Sequence, residues 1–293
     1  MALQPATTQP ARPLDPEHLQ QAITRLQALP AFYPAVHKAL KLLGDPQSSN
    51  DHLQQEIGSD QAMAARVLKL ANSAYFGFRG RVGTISLAIT LIGRDRIGTL
   101  LRHFLAEEMI HLLSGRKPAA RRIRQLSLLT AAAGHTLAER LLRGDKEEIL
   151  LAGLLHNIGE LVLLSQFRKE YEDMLSLAQP LSASQAELAI FGVESRLVGR
   201  WLLEAWNFPP FFPTIAEHHV DPWAESFPDA PVAAIALVYA ARKMADLWVE
   251  RGDPELLSFS PRLLSTLAVD REFLVDLYRH LPEAADRWKR TAE

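Results

Sequence analysis

From Pro16 onward the apolar residues of this chain recur three and four positions apart. Ile23, Leu26 and Leu29 form one run, Val36, Leu40 and Leu43 a second, and Ile57, Met63, Val67 and Leu70 a third. Much later Leu154, Leu155 and Ile158 repeat the spacing. Residues so spaced stack on one face of an α-helix, whereas a half-buried strand alternates with period two. Few stretches alternate strictly over five residues, so the pattern predicts an all-α fold. Asp51, Asp60 and Ser182 carry the short oxygen-bearing side chains that cap helix N-termini, and Gly44, Gly58, Gly93 and Gly144 stand where helices are expected to stop.

Breaks in this pattern divide the chain into two expected helical lobes. The first covers residues 16–114. Ser114-Gly115-Arg116-Lys117-Pro118 combines a helix breaker with charge and proline and marks the boundary. The second lobe, residues 115–251, opens with a long helix reaching Leu142. Gly252-Asp253-Pro254 then introduces a helical tail, residues 252–293. Residues 1–15, rich in Gln, Thr and Pro and without the apolar core of a signal peptide, read as a disordered leader. No fixed-period repeat supports a solenoid.

Composition narrows the function classes. The 293 residues are 48% hydrophobic and 23% charged, as in ordinary globular domains, and a net charge of -2 offers no general attraction for nucleic acid or anionic membrane. The basic run Arg116–Arg124 sits among Ala, Leu and Ile at helical spacing and reads as a solvated helix face, so no nucleic-acid partner is expected. Cysteine is absent, which excludes disulfides, thiolate metal sites and a cysteine nucleophile and fits a reducing cytoplasm. No apolar run is expected to approach the roughly 20 residues that span a bilayer.

Candidate chemistry centres on Leu151-Ala152-Gly153-Leu154-Leu155-His156-Asn157-Ile158-Gly159. A His followed by Asp at that point would read as a metal-ligand pair, but Asn157 supplies a neutral amide and cannot offset a divalent charge. Elsewhere, His103, Glu107 and His111 are spaced by four on one helix and read as a surface ion-pair face, with Glu108 beside them. His135 follows Ala131-Ala132-Ala133-Gly134, a small-residue stretch suited to close helix packing. Asn72 and Ser73 read as helix-ending hydrogen-bonding groups. Trp201, Trp206, Phe208, Phe211 and Phe212 are expected in the core, as are Phe76 and Phe78. No glycine-rich phosphate loop, Gly-x-Ser-x-Gly elbow or paired acidic motif is present.

Read in order, several segments resemble the HD-related output domain (HDOD) family, bacterial signalling proteins related to HD-type phosphohydrolases. They are Leu29-Pro30 with Pro34-Ala35-Val36, Asp60 through Gly77 with its Ala71-Asn72-Ser73-Ala74-Tyr75-Phe76-Gly77 ending, and Thr84 through Gly93. The His156-Asn157 run, Phe191-Gly192-Val193-Glu194, Trp206-Asn207-Phe208-Pro209 and Ile215 to His219 complete the set. The resemblance covers roughly residues 25–250 and implies that the second lobe is an HD-like helical bundle. In HD phosphohydrolases a bound cation polarises phosphoryl oxygen and activates water.

By that resemblance the ligand positions are altered. The first His should fall at Leu126-Ser127, where Leu126 binds no metal. The partner Asp is Asn157, a customary Lys is Glu160, another His is Ser195, and the last Asp aligns with Ala241, with Asp246 too far along to replace it. His156, His218 and His219 remain, and with Asn157 they outline a vestigial pocket. No catalytic residue, metal or other cofactor is expected. The implied function is a non-catalytic bacterial signal-transduction or scaffold module in the cytoplasm, acting by protein or small-ligand binding. Its expected partners are signalling proteins, including components of a cyclic-dinucleotide or two-component network. No sensor, receiver or output enzyme domain is recognised in the chain, so its signal is expected to arrive by association. The alternative is a metal-dependent phosphohydrolase or phosphodiesterase acting on a nucleotide or cyclic dinucleotide, and a residual metal site at His156, His218 and His219 is a separate, lesser expectation.

Overall fold

A computed structural model describes residues 14–27, 34–72, 81–115, 118–142, 144–177, 181–223, 231–283 and 286. Among these the chain forms sixteen α-helices, one 3-10 turn at Pro254–Leu256 and no strand, in agreement with the helical periodicity. Leu29, Pro30, Ser73 to Gly80, Arg116 and Lys117, and most of the expected leader lie outside the described residues.

The first six helices are α1 (Pro16–Gln27), α2 (Pro34–Gly44), α3 (Asn50–Gly58), α4 (Gln61–Ala71), α5 (Ile85–Ile92) and α6 (Arg94–Ser114). Their ends follow local chemistry. Asp60 caps α4, accepting a hydrogen bond from the Met63 amide at 2.9 Å. Asp51 does not cap α3. Ser49 does, accepting from the His52 amide, while Asp51 occupies the first turn, where its charge suits the positive end of the helix. Gly44 and Gly58 are the last residues of α2 and α3, and Gly93 ends α5. Asn72 donates to the carbonyls of Leu68 and Val82 and accepts from the Val82 amide, clamping the chain on both sides of residues 73–80.

Next come α7 (Pro118–Leu141), α8 (Lys146–Leu155), α9 (Ile158–Gln166), α10 (Arg168–Leu177), α11 (Ala183–Phe191), α12 (Ser195–Ala205), α13 (Phe211–His218) and α14 (Val232–Val249). Helices α15 (Pro261–Leu267) and α16 (Arg271–Arg279) close the chain. Ser182 and Gln185 form the capping box of α11. Helix α7 is packed between α8 and α14, and α12 lies on α9 and α13. One apolar core runs through all of them, and α6 touches α2, α4 and α5 on one side and α7, α8 and α9 on the other. Helix α1 returns to α12, where the Trp206 indole donates to the Leu26 carbonyl at 3.0 Å. The Leu14 amide donates to the Ile190 carbonyl. Trp206, Phe208 and Phe212 are core residues as expected, whereas Trp201 is exposed.

Two glycines of the His156 run set the spacing of this bundle. A Cβ on Gly153 would lie 2.6 Å from the Ala131 Cα of α7, and one on Gly159 would lie 1.9 Å from the Ser195 carbonyl of α12. Both crossings therefore bring backbone against backbone, which any side chain would prevent. The stretch Lys146–Gln166 is, by length and composition, long and apolar enough to cross a membrane, contrary to the expectation that no such run exists. It is two helices meeting at His156-Asn157, and 83% of its most apolar 18-residue window is buried inside the protein.

Candidate functional site

The turn between α8 and α9 carries His156 and Asn157 into the interior, where both are buried. Asn157 is fully engaged. Its Oδ1 accepts from the Ser127 hydroxyl of α7 at 2.6 Å, and its Nδ2 donates to the Ile123 carbonyl at 3.2 Å. Ser127 also lies 3.1 Å from that same carbonyl. The group facing Asn157 is thus Ser127, while its neighbour Leu126 is buried in the core.

His156 is fixed at both ring nitrogens. A carbonyl can only accept, so Nδ1, 2.7 Å from the Gly153 carbonyl, carries the proton. The lone pair on Nε2 then accepts from Arg242 Nη1 at 2.9 Å. Arg242 extends from α14, and its Nε donates to Asp246 at 2.9 Å, one turn further along. A fixed guanidinium, with its own carboxylate partner, occupies the direction in which the His156 lone pair points. Ala241, the expected position of the last Asp, faces Gly134 of α7 instead.

His219, at the end of α13, meets His156 edge-on, with ring centroids 4.9 Å apart. Its Nδ1 donates to the Ala216 carbonyl at 2.8 Å. Burial is the main force holding both rings neutral. For His156 the neighbouring His219 and Arg242 add to it and its pKa falls well below the ordinary value. For His219 burial and then Arg242 bring the pKa down to about 3. His218 is buried but turns to Glu217, 3.3 Å away, which also binds Arg200. The four pocket residues therefore split: His156 and His219 adjoin, Asn157 faces α7, and His218 joins an ionic network on the α12 side.

The other altered positions have local partners. The Ser195 amide donates to Glu187 at 2.8 Å. Glu160 accepts from the Tyr171 hydroxyl at 2.6 Å, and burial together with Glu160 pushes that phenol upward. Glu107 is drawn to Arg66 at 3.1 Å rather than to its helix neighbours, and Glu108 pairs with the same arginine. His103, expected on a surface face, is buried, with Nε2 3.3 Å from the Glu147 carbonyl, because α8 packs over α6 there. His135 pairs with the Glu147 side chain at 3.1 Å. Among the described residues, no three His, Cys, Asp or Glu side chains gather where they could hold a metal ion.

Sequence reasoning missed Arg242. The available signal was Arg242 directly after the apolar run Val238-Tyr239-Ala240-Ala241, with Asp246 four residues later at ion-pair spacing on the same helix.

Comparisons with known proteins agree with this geometry at the level of fold. A candidate phosphohydrolase from Shewanella amazonensis SB2B superposes with a TM-score of 0.68 at 22% identity, covering 94% of this chain and 98% of that one. An HDOD domain protein of unknown function from Geobacter sulfurreducens gives 0.61 at 22%, covering 91% and 99%. A candidate signal transduction protein from Marinobacter aquaeolei VT8 gives 0.63 at 22%, covering 94% and 64%. Among curated proteins, an uncharacterized protein of Treponema pallidum (strain Nichols) is 25% identical over 208 residues, and the match spans 68% of this chain but only 39% of that relative. The HDOD domain family model matches residues 29–222, well over half of the sequence, and the chain accordingly belongs to the HDOD domain family.

Proposed function

We propose that this chain is a non-catalytic signal-transduction or scaffold module of the bacterial cytoplasm that works by binding a signalling protein. The observation that carries the reading is the Arg242 guanidinium 2.9 Å from His156 Nε2. A divalent cation at that nitrogen would meet a fixed positive charge in a buried setting, where charges are weakly screened. The nearby groups bring no compensating anion: two neutral imidazoles, an amide whose oxygen and nitrogen are both in use, and a carboxylate committed to Arg242. The donor set therefore does not fit a hydrolytic metal. A helical module of this kind has its surfaces left as the means of action, and components of cyclic-dinucleotide or two-component signalling are the partners we favour.

Metal analysis of the purified full chain, with and without added Zn, Mn or Fe, tests this directly when combined with a phosphodiesterase assay on bis(4-nitrophenyl) phosphate. Substoichiometric metal and no turnover are expected. Stoichiometric metal together with hydrolysis that disappears in His156→Ala would overturn the proposal in favour of a metal-dependent phosphohydrolase. One observation favours that second reading: His156 and His219 still stand side by side.

A further inference from the structure

A cavity of about 690 Å³ lies on the other side of Ser127, between α6, α7, the end of α14, Pro282 and Asp286. Its volume falls within the roughly 300–1,000 Å³ usual for small-molecule sites. Arg121 and Arg124 line it from one face of α7, one helical turn apart. Among the described residues neither has an ion-pair or hydrogen-bond partner. Arg122 between them turns to Glu250 instead. The rest of the lining is largely apolar and aromatic, with Leu128 one turn beyond Arg124 on α7, Leu154 of α8, and Trp248 of α14, whose ring meets Tyr278 edge-on. Of the two acidic lining residues, Glu107 is held by Arg66 at 3.1 Å, and Asp286 is exposed and engaged in an interaction of its own.

We infer that this cavity binds an organic phosphate with a flat apolar body. Two guanidinium groups a turn apart present paired donors to phosphate oxygens, the geometry in which arginine outperforms lysine. The apolar wall with Trp248 accepts the ring, so anionic and planar parts are both needed for useful affinity. The site is distinct from the His156 centre. Ser127 is shared, but its hydroxyl is turned to Asn157. The inference goes beyond the proposed signalling role by naming a ligand class, and it does not require the chain to lack activity.

Titration calorimetry of the full chain with 1-naphthyl phosphate tests it. One saturable site with a submillimolar Kd is expected. Inorganic phosphate and 1-naphthol, each carrying half of the ligand, should bind at least about tenfold more weakly. The double variant Arg121→Ala/Arg124→Ala should lose about tenfold or more in affinity while melting as the wild type does, and Arg140→Ala, on the same helix outside the cavity, should bind normally. Absence of saturation at 1 mM, equal affinity for either half-ligand, or unchanged affinity in the double variant would overturn the site. His156-dependent hydrolysis of the probe would count against the proposed function and leave the site standing.

Discussion

Ser127 stands where two regions of opposite character meet. Toward the interior its hydroxyl completes a centre in which both polar atoms of Asn157 and both ring nitrogens of His156 have partners. Toward the surface it borders a cavity whose two arginines have none among the described residues. Solvent access accounts for the difference. An unpaired polar group in the interior costs about 1–3 kcal/mol, which favours closing the polar groups of this centre on one another. An arginine open to water loses nothing by standing alone and gains little from a surface partner. The interior centre is thus occupied by the protein's own groups, while the cavity keeps its charge for something else.

Substitutions at the interior centre should have the largest effects. In Gly159→Ala the new methyl group would collide with the Ser195 carbonyl, a backbone atom that cannot turn aside. Helices α9 and α12 would have to part, at a cost of about 3 kcal/mol or more in urea denaturation. A smaller loss would mean that the crossing is looser than its geometry states.

Asn157→Asp restores the His-Asp pair in sequence and should nonetheless destabilise the chain, by about 2 kcal/mol at pH 7. Ser127 can still donate to one carboxylate oxygen, but the other would face the Ile123 carbonyl, where an amide now donates. Neither metal uptake nor phosphodiesterase activity should appear, because Arg242 still faces His156. Stoichiometric metal in this variant would show that one carboxylate suffices to displace the guanidinium.

Acid should weaken the same centre. His219 has a pKa of about 3 in the fold against an ordinary 6.5, and His156 is lowered in the same direction. Between those values the unfolded chain takes up protons that the folded chain refuses, so this contribution is complete above pH 6.5 and is lost as pH falls toward 3. Each ring contributes at most about 1.4 kcal/mol per pH unit within that window. Denaturation at pH 7, 6 and 5 should show the decline, and His219→Gln should make it shallower. An equally steep decline in that variant would remove His219 from the account.

How much of this was legible beforehand depended on the kind of signal. Helical periodicity exposed the all-α fold because each buried face repeats locally, and Asp60 and Ser182 could be read as caps because capping needs only three or four adjacent residues. The centre depended on contacts between distant segments. The family resemblance singled out Leu126 and Ala241, whereas the residues that reach the site are their neighbours Ser127 and Arg242. A helix turns by about 100° per residue, so a shift of one exchanges the residue facing the site for one facing the core. The cavity was less legible still. The arginines of α7 resembled any solvated face, and only the packing of α6, α14, Pro282 and Asp286 around them encloses a volume.

The smallest stability effect is expected at that cavity. Arg121→Ala/Arg124→Ala should change the folding free energy by less than about 0.5 kcal/mol, since the arginines have no partners to lose among the described residues. Arg242→Ala is the contrasting variant: it leaves the buried His156 Nε2 without its donor and should lose about 1–2 kcal/mol. Urea midpoints for both variants measure the comparison itself. If removing the α7 pair costs as much as removing Arg242, those arginines hold the fold together and are not held in reserve for a ligand. If the pair costs nothing while Arg242 is needed, the α7 arginines carry no structural load, and calorimetry with 1-naphthyl phosphate then separates a ligand site from an ordinary solvated helix face.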